Sequence, residues 1–508
     1  MSRPRTLARR LTLSGLALAL TTTLDAQVTG ERRTLTLDDA LGLVDVTSED
    51  VAIAEAGLAR SRAGEARVRS ELLPQLSASA SYDRTLASEF SGLFDSTGPA
   101  CTPLAIDPSA SLADRVGEIE RALRDCPPSS SPFGGATLPF GRPNIYRLNL
   151  SFSQNLYSGG RIQAQRAQAR LSTRNASLTL TSAKAQAALD VAQAFYDAAL
   201  SDRLVSIQEA TVAQADSTYG QVRQQREAGR QSEFDLLRAQ VARDTLQPEL
   251  FRRRGQRDVA HLRLKQLLEI PGGTVLELVA NLEGDELPTS PALAPALADA
   301  EAAASVRPRT AVDALRLDVQ SRESAITVVR AQRKPTVAVS SAYGNVAYPS
   351  VAPSFGDWRT NWTVGASVSV PVLTGGRLEA EEASARADLT EAQARLKRTQ
   401  ELVVLDEESA RRDLEAARAA WDATGGTIRQ AQRAYEIAEL RYREGLSTQL
   451  EISDARLLLQ QAQVNRAQAA RDFQVARVRF ALLPNLPVGA GAASPASAAA
   501  GSPAAAGR

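Results

Sequence analysis

Residues Tyr146 to Arg161 read YRLNLSFSQNLYSGGR, and the pattern returns at Trp362 to Arg377 as WTVGASVSVPVLTGGR. The alignment sets Tyr146 opposite Trp362, Phe152 opposite Val368, and Gly159-Gly160-Arg161 opposite Gly375-Gly376-Arg377. Each copy alternates apolar and polar residues, the period of a strand with one apolar and one polar face. In the first, Leu148, Leu150, Phe152 and Leu156 share a face, while Arg147, Asn149, Ser151, Ser153 and Asn155 take the other. Such a strand suits a half-buried soluble sheet or a membrane barrel with a wet lumen. Tyr146 and Trp362, at matching strand ends, suit an aromatic girdle.

Beyond each Gly-Gly-Arg the chain enters a long run without proline. The first stays helical to about Arg226, a rod of about 100 Å at 1.5 Å per residue. Glu227-Ala228-Gly229 breaks it, and Ser232 to Leu268 runs back as helix with a kink expected at Pro248. The second rod carries a heptad at Leu389, Ala392, Leu396, Thr399 and Val403, a coiled-coil seam. It turns at Glu444-Gly445, and Ala462, Ala469, Phe473, Ala476 and Phe480 share one face of the returning helix.

Each unit opens alike upstream. Thr36 to Leu73 reads as one helix stopped by Pro74, and Leu76, Ala78, Ala80 and Tyr82 then alternate. Thr310 to Lys334 reads as helix stopped by Pro335, and alternation resumes at Thr336. Strands are therefore expected at about 75–88, 145–157, 336–346 and 360–373. From Gly159 to Gly229 and from Gly375 to Gly445 the two units keep a constant offset of 216 positions. Pro74 and Pro335 lie 261 apart, so the extra 45 residues fall in the first inter-strand loop. Rod length is preserved and loop length is free to vary. Gly-Gly-Arg is no phosphate loop, because it lacks both Gly-x-x-x-x-Gly-Lys and a βαβ setting.

The chain divides into a signal peptide at 1–26, a first repeat at 27–270 with its tip at 226–237, and a connector at 271–308. A second repeat follows at 309–485 with its tip at 442–454, then an Ala/Ser/Pro tail at 486–508 that reads as disordered. Arg3, Arg5, Arg9 and Arg10 precede a short apolar core at Leu11 to Leu20, and Leu24-Asp25-Ala26 is an acceptable cleavage site. Arg9-Arg10 also admits a twin-arginine signal. No later segment is apolar enough for a membrane helix, so a membrane location requires a barrel. Cys101 and Cys126 lie in an irregular stretch at about Glu89 to Asn144, either disulfide-bonded or as two free thiols.

Charge is balanced, with 59 basic and 58 acidic residues, so nothing points to nucleic acid. A single histidine, His261, reads as a surface residue and leaves a poor inventory for catalysis or a metal centre. No cofactor is expected.

Four strands are too few to close a barrel, so several chains must pool theirs, and three supply twelve. A secreted coiled-coil scaffold or adhesin is the competing reading, and it predicts solubility without detergent.

The opening LTLDDALGLV, the passage LLPQLSASASY, both Gly-Gly-Arg turns, and the tips REAGRQSEFDLLRA and YREGLSTQLEISDA resemble a TolC-type outer membrane factor. The resemblance implies a mainly α fold with a β-barrel part. Long antiparallel α-helical hairpins would form a periplasmic α-barrel, and a homotrimer would share a 12-stranded transmembrane β-barrel in outer-membrane lipid. Its partners would be a periplasmic adaptor of the membrane fusion protein class and an inner-membrane transporter of RND, ABC or MFS type. The function would be a passive exit duct for efflux or type I secretion, and no enzyme. Adaptor-docking tips map to Arg226, Gly229, Ser232, Asp235, Leu236 and Leu237, and to Tyr442, Gly445, Leu446, Ser447 and Leu450. The gate maps to Tyr442 with Asp235 as its acidic partner, and the constriction to Glu451 and Asp454, which share a helix face at i, i+3. Ser447 stands where the family can carry a gate arginine.

Overall fold

The computed structural model describes residues 32–87, 104–125, 143–284, 309–349 and 358–489. The signal peptide, Cys101 and Cys126, the connector from 285 to 308 and the tail from 490 lie outside them. The chain forms two compact units, one of residues 1–51, 184–306 and 407–483, the other of 52–183, 307–406 and 484–508.

The second unit holds a sheet of β2 (Gln75–Arg84), β3 (Asn144–Tyr157), β5 (Thr336–Ala347) and β6 (Arg359–Ser369). Their order is β2-β3-β5-β6, every pair antiparallel. Register stacks Ala80 on Leu148, Leu150 on Tyr343 and Tyr343 on Trp362, so the alternation of all four strands sums to one apolar face. Among the described residues no core covers that face: Leu76, Trp362, Val364 and Val368 are each 67–70% exposed. The opposite face is polar, with Ser77 and Ser151 hydroxyls 2.6 Å apart and Arg147 paired to Asp83. Two ring pairs decorate the apolar face, Tyr82 stacked on Tyr146 and Tyr343 edge-on to Trp362. They are staggered, because Tyr146 pairs with Ala347 and Trp362 with Tyr343, four residues away along β5.

Strand passes to helix through paired glycines at positive φ, +65° and +92° at Gly159 and Gly160, +57° and +82° at Gly375 and Gly376. Only glycine takes such angles cheaply. The turns match in their bonds: Arg161 N donates to Ser158 O, and Arg377 N to Thr374 O. The helices that follow, α4 (Arg161–Glu227) and α8 (Arg377–Arg443), are each 67 residues long. On the part of α8 in this unit Ala392 and Val403 are buried and Leu389, Leu396 and Thr399 half-buried, the expected seam. Helix α7 (Thr310–Ala331) leads into β5, and its N-terminal Arg309 is buried against Asp406 at 2.7 Å.

Three expectations fail here. Thr36 to Leu73 is two helices, α1 (Leu37–Thr47) and α2 (Glu49–Ser70), because Ser48 takes an extended conformation. Strands β2 and β6 stop at Arg84 and Ser369, short of 88 and 373. The stretch read as irregular contains α3 (Leu112–Asp125), whose amphipathic period is hidden between proline- and serine-rich flanks.

In the first unit β1 (Arg32–Leu35) pairs in parallel with β4 (Val275–Leu278), four-residue strands too short to read from sequence. Thr36 caps α1 in a reciprocal box with Asp39. The helix returning from the first tip is α5 (Glu233–Asp244) and α6 (Leu246–Leu267), interrupted at Thr245, where Pro248 leaves the Asp244 carbonyl four residues earlier without its helical donor. Pro248 then falls in the first turn of α6, where N–H groups have no partner within the helix. The second return is a single helix, α9 (Gln449–Leu482). His261 is not a surface residue: its side chain is largely covered and its Nε2 lies 3.0 Å from both Asp202 carboxylate oxygens. Trp421 of α8 stacks on Phe473 of α9 with the Arg466 guanidinium over its ring at 4.6 Å.

Candidate functional site: the two helical tips

Both tips are built by one device. Helix α4 ends with Gly229 N donating to Arg226 O and Arg230 N to Gln225 O; α8 ends with Gly445 N to Tyr442 O and Leu446 N to Arg441 O. This is the Schellman closure, which needs a left-handed residue after the helix. Gly229 and Gly445 supply it at φ +70° and +75°, with open space around both. Three residues on, a hydroxyl starts the return. Ser232 and Asp235 cap α5 reciprocally, the Ser232 Oγ donating to Asp235 Oδ2 at 2.6 Å. Thr448 caps α9 in one direction only, accepting from Glu451 N.

The tips then pack against one another. Val222 and Ala239 from the first join Tyr435, Tyr442, Ile452 and Leu459 from the second in one buried cluster, flanked by Leu236 and Ala455. Burial of these apolar surfaces holds the hairpins together at about 25 cal/mol per Å². Gln449 ties them more specifically. With its amide turned to satisfy both groups, its nitrogen donates to Asp235 O at 3.2 Å and its oxygen accepts from Ala239 N at 3.1 Å.

The expected residues divide. Tyr442 belongs to the buried cluster and Leu236 packs half-buried against it, whereas Arg226, Gly229, Ser232, Leu237, Gly445, Leu446 and Leu450 are exposed and Asp235 and Ser447 sit between. Glu451 is exposed, and Asp454 shares its face one helical turn on. Tyr442 and Asp235 do not hydrogen-bond: the Asp235 carboxylate is engaged by Ser232, and the Tyr442 hydroxyl is buried without a partner. Burial raises the Tyr442 pKa, and the nearby Asp235 charge adds to the effect. Ser447 Oγ is also buried and unpartnered. A buried polar group left unpaired costs about 1–3 kcal/mol, so the packed tip carries a built-in cost. Sequence reasoning missed Gln449, which no motif marks, and Phe234, 70% exposed on α5. Phe234, Leu237 and Val241 at i, i+3, i+7 were the available signal for the latter.

A family model described as "Outer membrane efflux protein" matches residues 137–269 and 306–485. Nodulation protein T of Rhizobium leguminosarum bv. viciae is 26% identical over 363 residues, 69% of this chain and 71% of its own. The outer membrane efflux protein BepC of Brucella suis biovar 1 (strain 1330) is 26% identical over 281 residues, 55% of this chain and 59% of its own. Among solved structures, the outer membrane protein VceC of Vibrio cholerae superposes with a TM-score of 0.63 at 18% identity, covering 88% of this chain and 96% of its own. The open-state MtrE outer membrane channel of Neisseria gonorrhoeae superposes with a TM-score of 0.63 at 18% identity, covering 89% of each. At these identities the structural likeness is one of fold.

Proposed function

Because this chain belongs to the outer membrane efflux protein family, we propose that three copies pool their strands into one barrel and open, through their tips, onto a periplasmic adaptor. The chain is an outer-membrane duct of efflux systems, with a large periplasmic part. One observation carries the trimeric reading: a four-stranded sheet whose apolar face has no cover, and whose edges, β2 and β6, are unpaired among the described residues. Uncovered strand edges and an apolar face of this size do not persist in water. Four antiparallel strands place β6 of one copy antiparallel to β2 of the next, so the pairing continues until the ring closes. Lipid then covers the apolar face, and the serine- and asparagine-rich face lines the lumen.

At the tips, Leu237, Leu446 and Leu450 offer the adaptor exposed apolar contacts, with Arg226 and Ser232 beside them. An inner-membrane transporter supplies the driving force, since a passive duct has none. Glu451 and Asp454, repeated by symmetry, form two acidic rings that favour cations. Recording from purified protein in planar bilayers tests this. Discrete conductance steps with a cation preference are expected, and Glu451→Ala with Asp454→Ala lowers the preference. Absence of any conductance would sink the duct reading. A bulky charge at Gly229 or Gly445 should abolish export while assembly survives, because φ > 0 is lost at the turn.

A further inference from the structure

Helix α3 stands on the connection between β2 and β3, which leaves the sheet at the end opposite the Gly-Gly turns. Its polar groups are settled locally. Ser111 Oγ accepts from Asp114 N and donates to Asp114 Oδ2 at 2.6 Å, and Glu118 pairs with Arg121 at 3.1 Å. Its apolar groups are not. Leu112, Val116, Ile119 and Leu123 share one face, 37–76% exposed. The spacing of four, three, four is a heptad seam, with Leu112 and Ile119 at d and Val116 and Leu123 at a. Arg115 then falls at g and Glu120 at e, and neither makes an ion pair among the described residues.

We infer that α3 docks on the α3 helices of two further copies of this chain, as a parallel three-stranded coiled coil. The proposal rests on the reading of the chain as one subunit of a trimer. Two independent observations point to parallel helices. Three-fold symmetry requires them, and a g residue of one parallel strand meets the e residue five positions on in its neighbour, which here sets Arg115 against Glu120. Leu123 at a and Ile119 at d favour three or four strands over two. The other e and g positions are Ala113 and Ala122, which widen the apolar stripe without bulk. A lipid surface fits this face poorly. Helices that lie on membranes are rich in Lys and Arg and carry aromatic anchors, whereas α3 sets Asp114, Glu118 and Glu120 against Arg115, Arg121 and Arg124 and has no Trp, Tyr or Phe. Reach is sufficient. The shorter tether, between Asp125 and Asn144, extends up to about 60 Å, and a twelve-stranded barrel is roughly 25 Å across. Two heptads are marginal for free peptides, but tethering to one barrel raises their effective concentration to about millimolar. A three-fold bundle lies on the three-fold axis, so α3 stands over the outer mouth of the duct.

Disulfide trapping in the full chain tests it, with Cys101→Ser and Cys126→Ser as background. Ile119→Cys, at the seam, is compared with Arg121→Cys, on the opposite face. A bond needs Cα atoms about 4.4–6.8 Å apart, so oxidation should give covalent dimers at 119 and roughly tenfold fewer at 121. Glu120→Arg should lower the yield at 119 several-fold, and adding Arg115→Glu should restore it. Particle mass is measured on the same samples. A trimer with no bond at 119, with equal yields at 119 and 121, or with no response to the charge swap would overturn the coiled coil and leave the duct standing. A fluorophore on Ile119→Cys that is quenched by brominated lipid in reconstituted vesicles would assign the face to the membrane and overturn it likewise. A particle that is not a trimer would overturn the duct reading itself.

Discussion

The two repeats use the same turns at the same spacing but load them differently. A Cβ on Gly159 would stand 2.7 Å from Ala331 O and from Lys334 Cβ, whereas one on Gly375 would meet nothing within 4 Å. At the next equivalent pair, Glu382 of the second repeat is covered and ringed by Arg330, Arg333 and Arg386, while its counterpart Arg166 keeps a buried, unpartnered Nε. At the tips, Gln449 is buried and bridges the hairpins, but its counterpart Glu233 is exposed and reaches only Arg226 at 3.5 Å. Repetition has kept the backbone and let side-chain duties diverge. Backbone geometry is set by φ and hydrogen bonds that the chain needs twice, while each side chain has one set of neighbours.

The largest test of that asymmetry is Gly159→Ala against Gly375→Ala. Both lose about 1–2 kcal/mol to the left-handed conformation, and only Gly159→Ala adds a backbone overlap worth about 1–3 kcal/mol more. Thermal unfolding of the detergent-solubilised assembly should show a clear gap, and equal losses would break the distinction. Gln449→Ala comes next, with a loss of about 1–3 kcal/mol for two buried hydrogen bonds. Glu233→Ala should cost under about 1 kcal/mol, as an exposed ion pair does. A smaller contrast is expected at the caps. Ser232→Ala removes a reciprocal box and Thr448→Ala a single bond, so the first should cost more within the range of about 0.5–2 kcal/mol. Faster amide exchange at Asp235 in the one and Glu451 in the other reads the difference.

The finest test is by pH. The Arg330 hydrogen bond, helped by Arg386 and Arg333, holds the Glu382 carboxyl below its ordinary pKa. A depressed folded value stabilises the folded state above the unfolded pKa of about 4.3 and loses that contribution as pH falls through the folded one. Glu382→Gln should flatten this part of the acid limb of stability, and Arg166→Gln should leave it unchanged.

What the sequence revealed follows from signal length. Four alternating strands and two 67-residue helices spread their period over many residues, so their existence and faces were legible. The break at Ser48 was not, because a lone serine also fits a helix interior. The turns of the tips were legible through Gly229 and Gly445, whereas the Thr448 cap was not, because a lone threonine carries no mark of its own. The partner of Asp235 was not, since Ser-x-x-Asp already satisfies that carboxylate locally. Gln449 was invisible, because its role depends on α5 lying beside it.

The most direct measurement of the central claim is the mass of the particle extracted from outer membranes in mild detergent, by native mass spectrometry. The account predicts three chains per particle and no stable particle without detergent. A soluble, extended monomer or dimer would contradict it, because nothing in such a species would cover the apolar face of the sheet.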